Sequence, residues 1–167
     1  MKTASGLAIV DNACSNNRLL LIQKDGENGK WGFTGGLVPD ELLNCHDFQL
    51  YDRLLGSAIS LHCVNTGLNP NRIAPVPLRK EKDNAEDLLI LDYVESEKVR
   101  LVHFSYRINC STKTYFSELV LSNPKYNLSQ IKFFSFEDIL EMHRANQLLP
   151  NVIKVVETPQ EINQTFI

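Results

Sequence analysis

The sequence predicts an α/β (α+β) fold, in which a set of short strands is covered by helices. Three observations lead to this prediction. Apolar runs of strand length, separated by polar turn clusters, lie near the N-terminus and again in the middle of the chain. Between these regions, apolar residues recur at helical spacing over residues 47–66. Near the C-terminus a last strand-like run leads directly into a helix start.

The first half of the chain indicates two neighbouring strands, a glycine-rich connection and one long helix. The runs "SGLAIVDN" and "RLLLIQK" are strand-like and flank the polar cluster "NACSNN". The connection "KDGENGKWGFTGG" follows and ends in a Gly-Gly turn. We expect the helix from Asp47 to Thr66, because Gly67 then takes the C-cap position that favours a residue with positive φ.

The second half of the chain is richer in strands. The stretch "NPNRIAPVPLRK" contains three prolines, so an edge strand or a loop is expected there. "EDLLILDYV" and "VRLVHFSYRI" flank "ESEK" and predict a hairpin, and "TYFSELVL" continues the β-rich composition. "IKFFSF" predicts a last strand, which feeds a helix with Ser135 as N-cap and Asp138 in its first turn. A short helix is expected to begin near Pro150.

Length and composition favour one globular domain. The 167 residues suffice to bury a core, and 43% hydrophobic with 22% charged residues is an ordinary globular mixture. We therefore expect a single domain over residues 1–157. The C-terminal residues 158–167 are the best candidate for a loose tail.

Charge and cysteine usage exclude several classes of function. The net charge of −3, without any run of Lys or Arg, leaves no electrostatic footprint for a nucleic-acid backbone, so a small ligand or a protein is the expected partner. The N-terminal apolar stretch is too short for a signal peptide or a membrane span, and a cytoplasmic location is the default. The four cysteines lack zinc-ligand spacing and are expected to be reduced thiols.

The order of these elements, together with "WGFTGG" before the long helix and "NTGL" after it, resembles the Nudix hydrolases over most of the chain. In that family an aromatic lead-in and two glycines enter the motif G-x5-E-x7-R-E-U-x-E-E-x-G-U, where U is a bulky aliphatic residue. The C-terminal "IKFFSFEDILEMHRANQLLP" is similar to the family's closing strand and helix. The resemblance implies an α/β/α sandwich around a mixed sheet and a nucleotide-like small ligand.

The chemistry of the family requires carboxylates that this chain lacks in the motif. Cleavage of a diphosphate linkage uses divalent cations, Mg²⁺ or Mn²⁺, which glutamates on one helix face hold. Gly36 and Gly67 are 31 positions apart, against 21 for the corresponding glycines of the family. Residues 42–80 contain no glutamate. Counted back from Gly67, the motif's arginine and its three clustered glutamates are replaced by Ser60, Leu61, Val64 and Asn65.

The resemblance also suggests candidate site residues, each with an alternative. Gly35 and Gly36 either admit a phosphate close to the backbone or form a tight bend. Trp31 and Phe33 are candidates for ligand binding by stacking, with packing in the core or in a lid as the alternative. The catalytic residue is unknown; Glu41 is the candidate only if the protein is active, where it would replace the motif's first glutamate after a one-residue shift from Leu42.

Two histidines and one glutamate complete the set of candidates. His62 lies on the predicted long helix and is interpreted as a structural histidine, with a catalytic base as the alternative. His103 shares one strand face with Ser105 and Arg107, and we predict that this face meets solvent, with a pocket wall as the alternative. Glu118 lies in a predicted strand. We predict that it faces solvent, with a cleft as the alternative.

The sequence therefore predicts a Nudix-fold protein that lacks metal-dependent hydrolysis and acts as a nucleotide-binding or protein-interaction module, with no cofactor. The alternative is an active diphosphate hydrolase that has rebuilt its metal site from carboxylates outside the motif. In that case the metal ligands would come from Asp40, Glu41, Asp47 and Glu118, and the cofactor would be Mg²⁺ or Mn²⁺.

Overall fold

The structure is a computed structural model that describes residues 1–11, 18–23, 29–67, 88–108 and 130–157. The described strands are β1 (Lys2–Asp11), β2 (Arg18–Gln23), β3 (Trp31–Gly32), β4 (Thr34–Leu37), β5 (Leu88–Ser96), β6 (Val99–Ile108) and β7 (Ile131–Ser135). The described helices are α1 (Asp40–Leu43), α2 (Asp47–Thr66), α3 (Phe136–Arg144) and α4 (Pro150–Glu157). The predictions for residues 69–80, for "TYFSELVL" with Glu118, and for the tail over residues 158–167 lie outside these ranges.

The described strands form one mixed sheet with the order β3-β2-β1-β6-β5. Strand β1 lies at its centre, because β6 pairs with one edge of β1 in parallel and β2 and β4 pair with the other edge in antiparallel orientation. Strand β7 pairs with β2, and β5 pairs with β6 as the expected hairpin. The mixed sheet and its α/β class confirm the predicted fold class.

Helices cover both faces of this sheet, and each face has its own apolar core. The face towards α2 is built from Leu7, Ile9, Leu20, Ile22, Val102 and Phe104 of the strands with Leu54, Leu55 and Ala58 of the helix. The opposite face is built from Ala8, Leu19, Leu21 and Phe33 with Ile139, Met142, Val152, Val155 and Val156 of α3 and α4. Alternate residues of β1 and β2 therefore point to opposite cores, which gives an α/β/α sandwich.

Local sequence signals account for the helix ends. Helix α2 spans the predicted residues, and Gly67 closes it in the left-handed conformation with φ of 71°. Helix α3 begins with a capping box, in which the Ser135 side chain accepts from the Asp138 N–H and the Asp138 carboxylate accepts from the Ser135 N–H. Helix α4 begins at Pro150, whose fixed φ suits the first helical position.

The predicted Gly-Gly turn is wrong. Gly35 and Gly36 lie inside strand β4, paired with Gly6 and Ser5 of β1. The physical reason is close backbone approach: Gly35 has φ of 154°, and a Cβ built there would collide with the carbonyl oxygen of Ser5. These glycines therefore bring two strands together and do not reverse the chain.

The helices that the structure describes do not include one with both the length and the apolar character needed to cross a lipid bilayer.

Candidate functional site

A cavity of about 370 Å³ opens beside the Gly-Gly strand. Its walls come from residues 4–6 of β1, residues 33–36 around β4, residues 101 and 103 of β6 and residues 149–151 at the start of α4, with Glu95 of β5 also lining it. Its volume falls within the range of roughly 300–1,000 Å³ that is usual for small-molecule sites. The central strand of the sheet and the first turn of α4 thus meet around one concave space.

Glycines form one side of this cavity. In the sheet, Gly6 is paired with Gly35 of β4 on one edge and with His103 of β6 on the other. A Cβ built at Gly6 would lie 2.9 Å from both Cε1 and Nδ1 of His103, which is closer than real Cβ contacts. Two adjacent strands therefore carry no side chain here, and the imidazole of His103 lies directly over the backbone of Gly6.

His103 is buried in the wall of the cavity and not directed to solvent. Its side chain is 4% exposed. Its Nε2 lies 3.3 Å from Nδ2 of Asn151 on α4, and its ring centroid lies 5.2 Å from that of Phe33, tilted by 57°. The preferred prediction of a solvent-facing His103 is wrong, because α4 covers this face of β6; the stated alternative of a pocket wall is correct.

Helix α2 holds strand β4 from the other side of the sheet. The N–H of Gly35 donates to Oδ1 of Asn65 at 2.9 Å. The side chain of Leu61 packs on Gly36, with Cδ2 3.4 Å from the position of a Cβ built there. Val64, between these two positions, is 60% exposed. The last turn of α2 therefore contacts β4 through an amide and an aliphatic side chain.

His62 is part of a buried polar cluster between α2 and β4. Its Nδ1 lies 2.8 Å from Oγ1 of Thr34, and its backbone carbonyl accepts a hydrogen bond from Oγ1 of Thr66 at 2.8 Å. Full burial disfavours the charged imidazolium and lowers the pKa of His62 from 6.5 to about 4. The neutral, hydrogen-bonded ring agrees with the interpretation of His62 as a structural histidine.

The cavity gathers three of the four candidate ligand-binding residues. Phe33, Gly35 and Gly36 line it, whereas Trp31 is not among its lining residues. Trp31 packs edge-on against Phe134 with ring centroids 4.9 Å apart, and Lys132 Nζ lies 5.7 Å from the centroid of its indole. Trp31 thus makes the packing contacts that were its alternative, and the ligand-binding role of all four residues stays a prediction.

The described carboxylates do not provide the donor set that Mg²⁺ or Mn²⁺ requires. Asp40, Glu41 and Asp47 are exposed on α1 and at the start of α2, and none of them lines the cavity. Within the described ranges, no three His, Cys, Asp or Glu side chains lie close enough together to hold a metal ion. Because Glu118 lies outside those ranges, the alternative of a rebuilt metal site that includes it stays a prediction.

Sequence reasoning did not single out Gly6 or Asn151. Gly6 interrupts an apolar strand, and an isolated glycine in a strand is a known signal of close backbone approach. Asn151 follows Pro150 at the start of a short helix, and nothing in its local sequence signals a contact with a strand 48 residues away. Gly6 could therefore have been detected from the sequence, whereas Asn151 could not.

The fold has solved counterparts, whereas the sequence does not match any protein-family model or curated protein. A NUDIX hydrolase from Nitrosomonas europaea is similar with a TM-score of 0.56 and 13% sequence identity. The alignment covers 99% of this chain and 90% of that hydrolase. The NUDIX domain of Shewanella oneidensis NrtR, solved in complex with ADP ribose, is similar with a TM-score of 0.55 and 12% sequence identity. That alignment covers 99% of this chain and 88% of the NrtR domain.

A third counterpart is the C-terminal domain of mouse MUTYH, in complex with human PCNA. It is similar with a TM-score of 0.55 and 11% identity, covering 100% of this chain and 92% of its own. At these identities the likeness concerns the fold alone. The chain has the Nudix fold.

Proposed function

We propose that this chain is a Nudix-fold module that binds a nucleotide-like ligand in the cavity beside β4 and does not hydrolyse it. The observation that carries the proposal is the contact between Asn65 and Gly35. In the resemblance to the Nudix motif, Asn65 occupies a glutamate position, and here its amide supports the cavity wall from behind. Asn65 therefore supports the wall of a binding site and does not supply a carboxylate to a metal site.

The shape of the cavity supports ligand binding. Small-molecule sites are concave, mostly apolar and contain a few convergent polar groups. This cavity combines Phe33 and Leu101 with the polar side chains of His103 and Asn151. The NrtR domain with the same fold is complexed with ADP ribose, which makes ADP ribose the first probe to try.

The function is tested by measuring binding and turnover on the same protein sample. Purified protein is titrated with ADP ribose and with a panel of nucleoside diphosphate derivatives in EDTA, by isothermal titration calorimetry. The same compounds are then incubated with the protein and Mg²⁺ or Mn²⁺, and products are separated by chromatography. We expect binding of at least one compound and no turnover at ordinary enzyme rates.

Turnover would favour the alternative of an active diphosphate hydrolase. The matched control is Glu137→Gln, at an exposed glutamate in the first turn of α3. Hydrolysis that is lost in Glu41→Gln and kept in Glu137→Gln would contradict the proposal. Absence of binding across the whole panel would instead favour the protein-interaction function. The fold shared with the MUTYH domain, which is seen in complex with PCNA, supports that second candidate.

A further inference from the structure

Strand β4 has an outer edge whose backbone groups point away from the sheet. Just beyond its end, the Val38 N–H donates to the Thr3 carbonyl of β1 at 2.9 Å. Inward and outward directions alternate along an antiparallel strand, so every second residue before Val38 bonds to β1 and the residues between them point outward. Gly35 is one of these outward residues, and its N–H indeed donates to Asn65 of α2 and not to β1.

Leu37 is the position at which this edge is open. By the same alternation its N–H and C=O point away from β1. Among the residues that the structure describes, none forms a hydrogen bond with these two groups, and the residue is 53% exposed. Leu37 therefore offers one donor and one acceptor, which are the groups that two directly opposed residues of an antiparallel ladder exchange. An edge of this kind is a template for another chain.

Apolar side chains border the open edge on both faces of the strand. On one face Leu61 packs against Gly36, with its Cδ2 3.4 Å from the position of a built Cβ. Val64 lies about 60° around the helix from Leu61 and is largely exposed. Strand alternation directs the Leu37 side chain to the opposite face. A strand paired with Leu37 would therefore meet Val64 on one face and Leu37 on the other.

Carboxylates follow the open edge and determine which partner suits it. Helix α1 has Asp40 and Glu41 in its first turn and no basic residue in its sequence DELL. Both acids are exposed. At about 3.3 Å per residue, a strand that continued past Leu37 would reach Asp40 about 10 Å further on. The edge therefore suits a basic partner and not a second copy of this chain, because a two-fold contact would bring its own acids together.

We propose that the outer edge of β4 docks an extended, basic segment of a partner protein, which pairs with Leu37 as an added strand. Two adjacent apolar residues of the segment contact Leu37 and Val64. A Lys or Arg beside them faces Asp40 and Glu41. In strand addition the main-chain bonds provide affinity and the side-chain contacts provide specificity. The inference goes beyond the proposed function, because none of these four residues lines the cavity.

A designed peptide tests this docking edge on the wild-type protein. The probe is Lys-Thr-Val-Val-Thr-Lys with both ends blocked, and the control peptide has Glu in place of both Lys. Each is titrated into isotope-labelled protein, and amide shifts and hydrogen exchange are followed by NMR. We expect the Lys peptide to shift the Leu37 and Val64 amides and to slow exchange at Leu37. It should bind at least about tenfold more tightly than the Glu peptide, and more weakly as NaCl is added.

Three results would overturn the inference. The first is equal affinity of the two peptides, and the second is no shift at Leu37 with millimolar Lys peptide. The third is slower exchange at Leu37 when only the protein concentration is raised, since a second copy would then occupy the edge. ADP ribose, titrated into the same samples, reports on the cavity separately. Its binding without peptide binding would leave the proposed function standing, and the reverse result would leave this inference standing.

Matched variants locate the contact. Leu37→Ser should weaken binding of the Lys peptide about tenfold, because an apolar contact is lost. Val94→Ser is the control, at a comparably exposed apolar residue of β5 on the other side of β1 and β6, and it should leave the affinity unchanged. Circular dichroism confirms that both variants fold. A loss of the same size in both would contradict the proposed position of the peptide.

A charge variant tests the role of the acids separately. Asp40→Asn combined with Glu41→Gln removes both carboxylates and keeps the size of the side chains. This double variant should lose the preference for the Lys peptide over the Glu peptide, because that preference depends on charge. A preference that persists unchanged would contradict the proposed recognition of a basic segment.

Discussion

The N–H of Gly35 donates to the side-chain oxygen of Asn65 across 2.9 Å and so joins strand β4 to the last turn of α2. The two residues are 30 positions apart, so the contact depends on the tertiary fold. Because Gly35 also borders the cavity, this hydrogen bond couples the position of one cavity wall to the end of the long helix.

The Asn65 contact predicts a stability difference between two substitutions. Asn65→Ala leaves the partly buried Gly35 N–H without its acceptor and should lower the free energy of unfolding by about 1 kcal/mol. Asn65→Asp keeps an acceptor at the same position and should lose less. Urea unfolding of both variants beside the wild type measures the difference. Equal stability of the two variants would mean that the hydrogen bond does not contribute.

The buried His62 predicts a pH-dependent stability. Its pKa is about 4 in the folded protein and 6.5 when the ring is solvated, so between these values the unfolded chain binds more protons than the native one. The free energy of unfolding should therefore be fully maintained above pH 6.5 and fall as the pH decreases towards 4. For this one group the total loss is about 3 kcal/mol.

A double variant isolates the contribution of His62 from those of the other histidines. Thr34→Val combined with His62→Leu removes both partners of the 2.8 Å contact and leaves apolar groups of similar size. The stability of this variant relative to the wild type should increase as the pH falls from about 7 to about 4. A constant difference across this range, measured by urea unfolding, would contradict the assignment.

Two glycines should respond to alanine in opposite directions. Gly56 is exposed inside α2 with open space around a built Cβ, so Gly56→Ala should raise the free energy of unfolding by about 0.5–1 kcal/mol. Gly35 has φ of 154° and faces the Ser5 carbonyl, so Gly35→Ala should lower it by about 2 kcal/mol or more. Thermal unfolding of both variants tests the contrast, and a neutral Gly35→Ala would contradict it.

The capping box of α3 predicts a loss on truncation of Ser135. Ser135→Ala removes the acceptor of the Asp138 N–H and should cost about 1 kcal/mol of stability. Ser60→Ala, at an exposed position inside α2, is the matched control and should be neutral or slightly stabilising, because alanine favours helix interiors. The same change in both variants would show that the cap does not contribute.

Elements with local signals could be predicted from residue order alone. The bounds of α2, the cap at Ser135, the start of α4 at Pro150 and the β5–β6 hairpin all agree with expectation. Each depends on helical periodicity, a capping side chain or a turn cluster. These act over a few residues, so they can be detected without the fold. The α/β class follows from the same signals.

The candidate site could not be predicted in the same way, because it depends on which elements meet. Strand alternation places His103 on a face of β6, but whether α4 or water covers that face depends on packing. Gly35 pairs with Gly6 in the sheet, where the sequence predicts a turn. The register between β1 and β4 leaves no space for a Cβ at Gly35, and this register cannot be read from the local sequence. The residues that line the cavity come from four strands, the start of a helix and the segments beside them, and long-range packing alone brings them together.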